Sequence, residues 1–329
     1  MIFSLAGCSQ PEPLQSLGGF AQGTTWQVRF WSHEKPDPAL VRRFIETEFS
    51  RLDQVLSNYR PDSVIETFNS RDDTDARTVG PEIVALIQQA RIVSEASSGC
   101  YDLTIKSLFD LWGFNGETLT PPDDTKLQHT LARTGFQKLQ ILAPDRLRKL
   151  EPAVRVDLSS IAQGYSVQRI AGVLESRGIH HYLVEIGGEL QIKGHKPDGS
   201  AWRIGIERPW SGERSLEKTL IIQRDAPTAV MTSGTYRRFF DIQGRRYSHI
   251  LDARTGRTVA HNTVSVTVVH DDASQADAWS TALLCLGKGD GLNTANQTGI
   301  AALFIVESQG RFEEHSSAAW QSLQYMAVQ

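Results

Sequence analysis

The spacing of apolar positions changes part-way along this chain. Between Pro38 and Leu56 they fall at Leu40, Val41, Phe44, Ile45, Phe49, Leu52, Val55 and Leu56, a period of three to four residues that predicts an amphipathic helix. A second helix is predicted over Pro81–Ala96, ended by Ser97-Ser98-Gly99. A third is predicted over Ser160–Arg177, with Gly178 at the C′ position where a left-handed residue closes a helix. One alternating strand, Trp26–Phe30, precedes them. After Gly178 the pattern turns to β-rich segments, HYLVEIGGELQIKG, WRIGIERP, TLIIQR, AVMTSG, RRYSHILDA and VSVTVVH, separated by Gly, Pro and Asp turns. A helix at Ala273–Leu286 and a strand at Ala301–Glu307 complete the order. Helical segments followed by antiparallel-looking strands predict an α+β fold rather than a doubly wound parallel sheet. Thr120–Asp124 is the best linker candidate, but no repeat and no clear boundary divides the chain.

Composition narrows the function classes. At 329 residues with 40% hydrophobic content the chain can bury a sizeable core. Its 34 basic and 38 acidic residues give a net charge of −4 and no long Lys/Arg run, which argues against nucleic acid as a partner. No stretch of about 20 apolar residues is present to cross a bilayer as a helix. Near the start, Leu5-Ala6-Gly7-Cys8 and the following Ser/Gln/Pro/Glu run resemble a bacterial lipobox, in which Cys8 is acylated and tethers the protein to a membrane surface. Only seven residues precede Cys8 and none is charged, so the expected start lies upstream; a cytosolic start with a chance Cys is the other reading. The lipobox reading divides the chain into a tether, 1–19, and one domain, 20–329, anchored in the periplasm. Cys285, in WSTALLCL, reads as a buried core residue, and the different setting of Cys100 predicts no disulfide framework and no zinc site.

Two remote blocks carry the sharpest chemistry. In ADAWSTAL, Asp277 and Thr281 are four residues apart and share one helix face. A carboxylate with a hydroxyl suits magnesium, a hard cation that prefers oxygen and borrows ligands from phosphates, although such pairs also arise by chance. DLSSIAQGYSVQ supplies the second block, Asp157–Gln168. Gly187-Gly188 either lets a backbone approach a flat ligand or simply punctuates a hairpin. Thr232, Ser233 and Gly234, with Thr235, Tyr236, Arg237 and Arg238 after them, form either a phosphate grip or a strand-ending turn. His249, inside RRYSHILDARTG, is either a proton acceptor near neutral pH or a structural histidine, whereas His180-His181 reads as a solvated loop. Asp102 reads either as part of a site or as a helix N-cap, and Trp112 and Phe114 beyond it read as core.

In this order GTTW, LSNYRPDSVIETFN, GCYDLTI, LWGF, DLSSIAQGY, LVEIGGEL, WRIGIERP, TSGTY, YSHILDARTG, SVTVV and ADAWSTALLCLG resemble the ApbE family of FAD:protein FMN transferases, from about Gln22 to Gly287. The resemblance implies an ApbE-like fold of helices packed on antiparallel sheets, with two intertwined subdomains around a flavin cleft. It implies a magnesium-dependent enzyme that cleaves the FAD pyrophosphate, releases AMP and links FMN by a phosphoester to a Thr or Ser of another protein. Implied acceptors are subunits of the sodium-translocating NADH:quinone reductase and its Rnf relatives. Implied metal ligands are Asp277, Thr281 and a backbone carbonyl of DLSSIA, that of Ser160. Flavin-side contacts fall to Gln22, to Ser57, Asn58 and Tyr59, to Cys100, Tyr101 and Asp102, and to Gly187 and Gly188. Thr232, Ser233 and Gly234 would also contact the FAD. Asp157, Gln163, His249 and Ile250 lie nearer the phosphates, with His249 as the base for the acceptor hydroxyl and Asp157 as a second catalytic group. Gln163 stands where the family commonly has Lys, Gln22 where it has Met, Gln168 where it has Asp, and Ala253 where it has Pro. Two alternatives stay open: an FAD pyrophosphatase in which water replaces the protein hydroxyl at the same site, giving FMN and AMP, and, through the missing positive charge at Gln163, an FAD-binding lipoprotein without turnover.

Overall fold

Eight strands form the main sheet of the computed structural model, which describes residues 12–114, 119–207, 216–236, 239–242 and 245–329. They are β1 (Gln15–Ala21), β2 (Thr24–Trp31), β3 (His181–Ile186), β4 (Glu189–Gly194), β5 (Arg224–Gly234), β6 (Thr263–His270), β7 (Ala301–Ser308) and β8 (Arg311–Ser316). Their order across the sheet is their order along the chain, and every neighbouring pair is antiparallel. The sheet is thus a meander into which other elements are inserted. Cys8 and the lipobox lie outside the described residues. Residues 15–19, read above as tether, instead form most of β1, because Gln15 to Ala21 pair in register with Phe30 to Thr24.

The long insertion between β2 and β3 carries six helices: α1 (Pro38–Leu56), α2 (Val64–Asn69), α3 (Pro81–Ala96), α4 (Lys106–Trp112), α5 (Asp124–Leu131) and α6 (Ser159–Glu175). Helix α1 starts where Asp37 accepts the Ala39 N–H at 2.9 Å and Pro38 sets the first turn. Its buried stripe, Val41, Ile45, Phe49, Leu52 and Leu56, is the one the spacing predicts. Each of these contributes roughly 1.5–3 kcal/mol by leaving water. The predicted bounds of α1 and α3 match the structure, and those of α6 differ by one residue at the start and two at the end. Thr120–Asp124 links no domains: Asp123 caps α5 by accepting the Lys126 N–H, and the Thr120 N–H donates to the Trp112 carbonyl.

The insertion between β6 and β7 is α7 (Ala273–Thr298), longer than the predicted Ala273–Leu286. At Gly287 the backbone leaves helical geometry (φ 71°, ψ 177°), and the helix resumes to Gly299. A Cβ at Gly287 would lie 2.6 Å from the His261 ring. The glycine therefore marks a packed kink rather than an end.

Both faces of the central strands are covered, which is why β3 and β7 read as nearly continuous apolar runs. Tyr182, Val184 and Ile186 of β3, Met231 of β5 and Phe304 of β7 point toward α1, α3, α6 and α7. Leu183, Val230 and Leu303, one residue out of phase, meet Trp202, Ile204, Leu220 and Trp320 on the other face. There Trp202–Glu207, Leu216–Ile222 and Met326–Val328 form a second, three-stranded sheet. His181, expected in a solvated loop, begins β3 and stacks on Trp31 at 4.2 Å between ring centres.

Candidate active site

Helices α6 and α7 approach so closely that one residue between them must lack a side chain. A Cβ on Gly164 would lie 2.7 Å from the Asp277 Cβ and would also run into the Ala273 carbonyl. Through that gap the Gly164 N–H donates to Asp277 Oδ2 at 2.8 Å. This N–H is the donor that an α-helix directs at the carbonyl four residues earlier, which is that of Ser160. Asp277 thus takes up a helical donor beside the carbonyl that the resemblance assigns to a cation.

The Asp277 carboxylate is 6% exposed, and burial pushes its pKa up to about 7, with the Gly164 N–H acting the other way. Among the described residues no Lys or Arg pairs with it. One turn on, Thr281 Oγ1 lies 3.0 Å from Ser233 Oγ, which is 2.8 Å from Ser280 Oγ. Ser280 in turn donates to the Asp277 carbonyl. A buried carboxylate with hydroxyls around it and no cationic partner among the described residues is an all-oxygen donor set, and magnesium fits it.

Opposite lies the start of α6. Ser160 Oγ donates to the Tyr101 hydroxyl at 3.2 Å, and Tyr101 is buried with its pKa raised by that burial. Asp157 accepts the Ser159 N–H at 2.8 Å, as well as the Ser159 hydroxyl, and burial raises its pKa too. Two side-chain amides hold the segment in place. Asn69 accepts the Val156 N–H at 2.7 Å and donates to the Val156 carbonyl at 2.8 Å. Asn58 accepts the Leu158 N–H at 2.7 Å and donates to the Val156 carbonyl and to Glu66.

Several expected flavin contacts are already engaged with protein. The Asn58 amide builds the Val156–Leu158 support instead of facing outward. Ser57 caps α1, its hydroxyl accepting from the Tyr59 and Arg60 N–H groups at 3.3 and 3.2 Å. Asp102 neither caps a helix nor presents its carboxylate outward: Oδ1 accepts from Thr104 N–H and hydroxyl, and Oδ2 from the Phe136 N–H at 2.8 Å. Cys100 is bonded to Cys285, contrary to the expectation of no disulfide. The two settings looked unrelated because 185 residues separate them, and only the packing of α7 against the Cys100 loop joins them. Gln163 Nε2 donates to the Ile186 carbonyl at 2.6 Å, so its amide pins the turn after β3 rather than standing free beside a phosphate.

That turn and its neighbour are shaped for close approach. Gly187 and Gly188 take φ of 59° and 97°, and the Gly188 N–H donates to Glu185 at 2.6 Å. Beside it, Gln22 and Gly23 (φ 51° and 75°) make the two-residue turn between β1 and β2, with Gln22 exposed at its tip. A cavity of about 360 Å³ opens here, lined by Thr24, Gly187, Gly188, Arg203, Thr232 and Tyr236 among others. A larger one of about 680 Å³ lies at the end of α3 against Phe136 and Leu139. Asp277 lines neither of these two cavities.

Tyr59 is 71% exposed on the loop after α1. Gly234 lets the Tyr236 ring approach to 2.5 Å of where a Cβ would be, and the Thr232 N–H donates to Glu189 at 3.0 Å. His249 is half-buried after the hairpin Phe239–Ile242 and Arg245–Ser248, and the next residue, Ile250, is in the core. Arg237 and Arg238 lie outside the described residues. Sequence reasoning missed Gly164, Asn69, Ser280 and the disulfide. Gly164 and Asn69 both sit inside quoted blocks, and a glycine in mid-helix was the signal for close helix contact.

The match to known proteins spans this whole arrangement. The ApbE family model covers residues 22–304. The chain belongs to the ApbE family. Among curated ApbE relatives, FAD:protein FMN transferase of Vibrio cholerae is 35% identical over 326 residues, covering 97% of this chain and 95% of its own. FAD:protein FMN transferase of Escherichia coli K12 is 30% identical, with 96% and 93% covered. The solved flavin transferase ApbE from Vibrio cholerae has a TM-score of 0.84 at 32% identity and covers 94% of this chain and 99% of its own. The apo form of Pseudomonas stutzeri flavinyl transferase ApbE has a TM-score of 0.86 at 36% identity, with 95% and 97% covered. The α+β architecture read from the ApbE resemblance is therefore the observed one.

Proposed function

We propose that this chain is a magnesium-dependent FAD:protein FMN transferase. The α6–α7 junction carries the reading: a buried Asp277 carboxylate with no cationic partner among the described residues, beside the Thr281, Ser233 and Ser280 hydroxyls and the first turn of α6. The names and full-length coverage of the relatives support the same activity. Asp277, Thr281 and the Ser160 carbonyl would hold the ion. Bound there, magnesium would neutralise charge on the pyrophosphate and ease the departure of AMP.

The chain's own residues do the rest. The two glycine-bearing turns would let a flat ring come close to backbone, and the exposed ring of Tyr59 would supply an aromatic face for the flavin. His249 would take the proton from an acceptor Thr or Ser hydroxyl as its oxygen bonds to the FMN phosphorus and the bond to the AMP oxygen breaks. Asp157, raised in pKa and fixed by Ser159, orders the start of α6. The lipobox reading adds an acyl anchor at Cys8 on the periplasmic side, where flavinylated subunits of sodium-translocating NADH:quinone reductase or Rnf-type complexes would be the acceptors.

Incubation with FAD, magnesium and an acceptor domain tests this, read by in-gel flavin fluorescence and AMP release. A fluorescent acceptor with AMP is the expected result. Free FMN with AMP would mean a pyrophosphatase, and intact FAD a carrier without turnover.

A further inference from the structure

We propose that the Cys100–Cys285 disulfide is a positioning tie of the active site, fixing the cation-binding face of α7 against the loop that supports Ser160. The inference rests on the cation reading above.

Asp277, Thr281 and Cys285 follow one another at four-residue intervals and so lie along one face of α7. Cys285 therefore anchors the same helix stripe that would ligate the ion, one turn beyond Thr281. The other sulfur belongs to the loop after α3, and the residue after Cys100 is Tyr101, whose hydroxyl receives the Ser160 hydrogen bond. A third segment meets the tie. The Ala253 N–H donates to the Cys100 carbonyl at 3.1 Å, the Arg254 guanidinium donates to Cys100 Sγ at 3.4 Å, and the Cys285 sulfur sits 3.7 Å from the Leu251 carbonyl. These residues follow His249 directly along the chain. One covalent bond thus gathers the cation helix, the support of Ser160 and the exit of the segment carrying the proposed base.

Magnesium tolerates little error in ligand placement, holding near-octahedral geometry at about 2.0–2.1 Å. A tie that removes small relative shifts of α7 should therefore show in cation affinity more than in the fold. Cys100 is fully buried and Cys285 is 5% exposed, so attacking thiols do not reach the bond in the folded protein. It acts as a permanent constraint rather than an exchange site. Its formation takes two protons and two electrons from the thiols, which a disulfide such as oxidised glutathione accepts in becoming two thiols.

The test compares the wild-type chain with C100A/C285A, after thiol alkylation and intact mass confirm a closed bond in the wild type. Three quantities are read: the magnesium concentration for half-maximal AMP release, the FAD dissociation constant from flavin fluorescence, and Tm. We expect the magnesium requirement to rise about tenfold in the variant, in the range found when groups supporting metal ligands are lost, with kcat recovered at saturating magnesium. A lower Tm with magnesium and FAD constants unchanged would overturn the proposal, leaving a purely stabilising bond. If the double variant does not fold, wild-type chain folded and assayed in dithiothreitol, with both thiols free, decides between the same outcomes. Absence of magnesium dependence in the disulfide-bonded wild type would instead overturn the cation reading, and the tie's role with it.

Discussion

The α6–α7 junction and the loops around Asn58 and Asp102 use the same kinds of polar residue in opposite ways. At the junction Asp277 receives one backbone donor and retains oxygen capacity that no described side chain takes up. In the loops Asn58, Asn69 and Asp102 spend their hydrogen-bonding groups on backbone and side-chain atoms of the same protein. Both regions are buried and both read in the sequence as site motifs. The difference teaches that a polar residue in a motif either meets the substrate or builds the support for one that does, and its unfilled bonding capacity tells which.

The largest effect expected from breaking this contrast is at its centre. Asp277→Asn keeps an acceptor for the Gly164 N–H but removes the charged oxygen of the proposed ligand set, so magnesium-dependent AMP release should fall more than about 100-fold, beyond the loss typical of supporting groups. Retained folding by circular dichroism with near-wild-type turnover would reject the cation assignment. Next, Asn69→Ala should destabilise by about 1–3 kcal/mol, because it leaves the buried Val156 N–H unpaired, whereas Tyr59→Ala should leave stability within about 0.5 kcal/mol. Tyr59→Ala should instead raise the KM for FAD about tenfold, as loss of a stacking face worth roughly 1–3 kcal/mol implies. Urea unfolding and FAD titration of both variants check the pair, and a reversed pattern would assign the roles the other way round.

A pH series sharpens the junction further. Burial lifts the Asp277 carboxyl from an ordinary value of 3.8 to about 7. Between those values the cation-free folded chain holds a proton that the unfolded chain has released, so this group's contribution to stability is lost as pH rises through 7. Protons and magnesium then compete for the carboxylate. The magnesium concentration for half-saturation should rise about tenfold for each pH unit below 7, and a flat profile from pH 5.5 to 7.5 would contradict it. The smallest effect is expected at Gln163→Lys. A lysine can keep the hydrogen bond to the Ile186 carbonyl and adds charge near the site, so the rate should rise no more than about threefold, within 1 kcal/mol. An unchanged or lower rate would show that pinning the turn is what this position does.

Much of this was legible in the residues. The stripe Val41, Ile45, Phe49, Leu52 and Leu56 defined α1, and the four-residue step from Asp277 to Thr281 placed both on one helix face. Less legible was anything set by contact between distant segments. Gly287 read as a helix end, yet packing against His261 makes it a kink within α7. Cys100 and Cys285 looked unrelated, and Gln163 looked free to face a phosphate.

The sequence by itself determined the periodic elements and the α+β class, because period and residue type are local properties that side chains carry with them. Only the tertiary structure decided which polar atoms are spent and which remain available. That follows from close packing: the Gly164 gap, the Asn58 and Asn69 clamps on Val156–Leu158 and the Cys100–Cys285 bond exist only where segments 87 to 185 residues apart are pressed together.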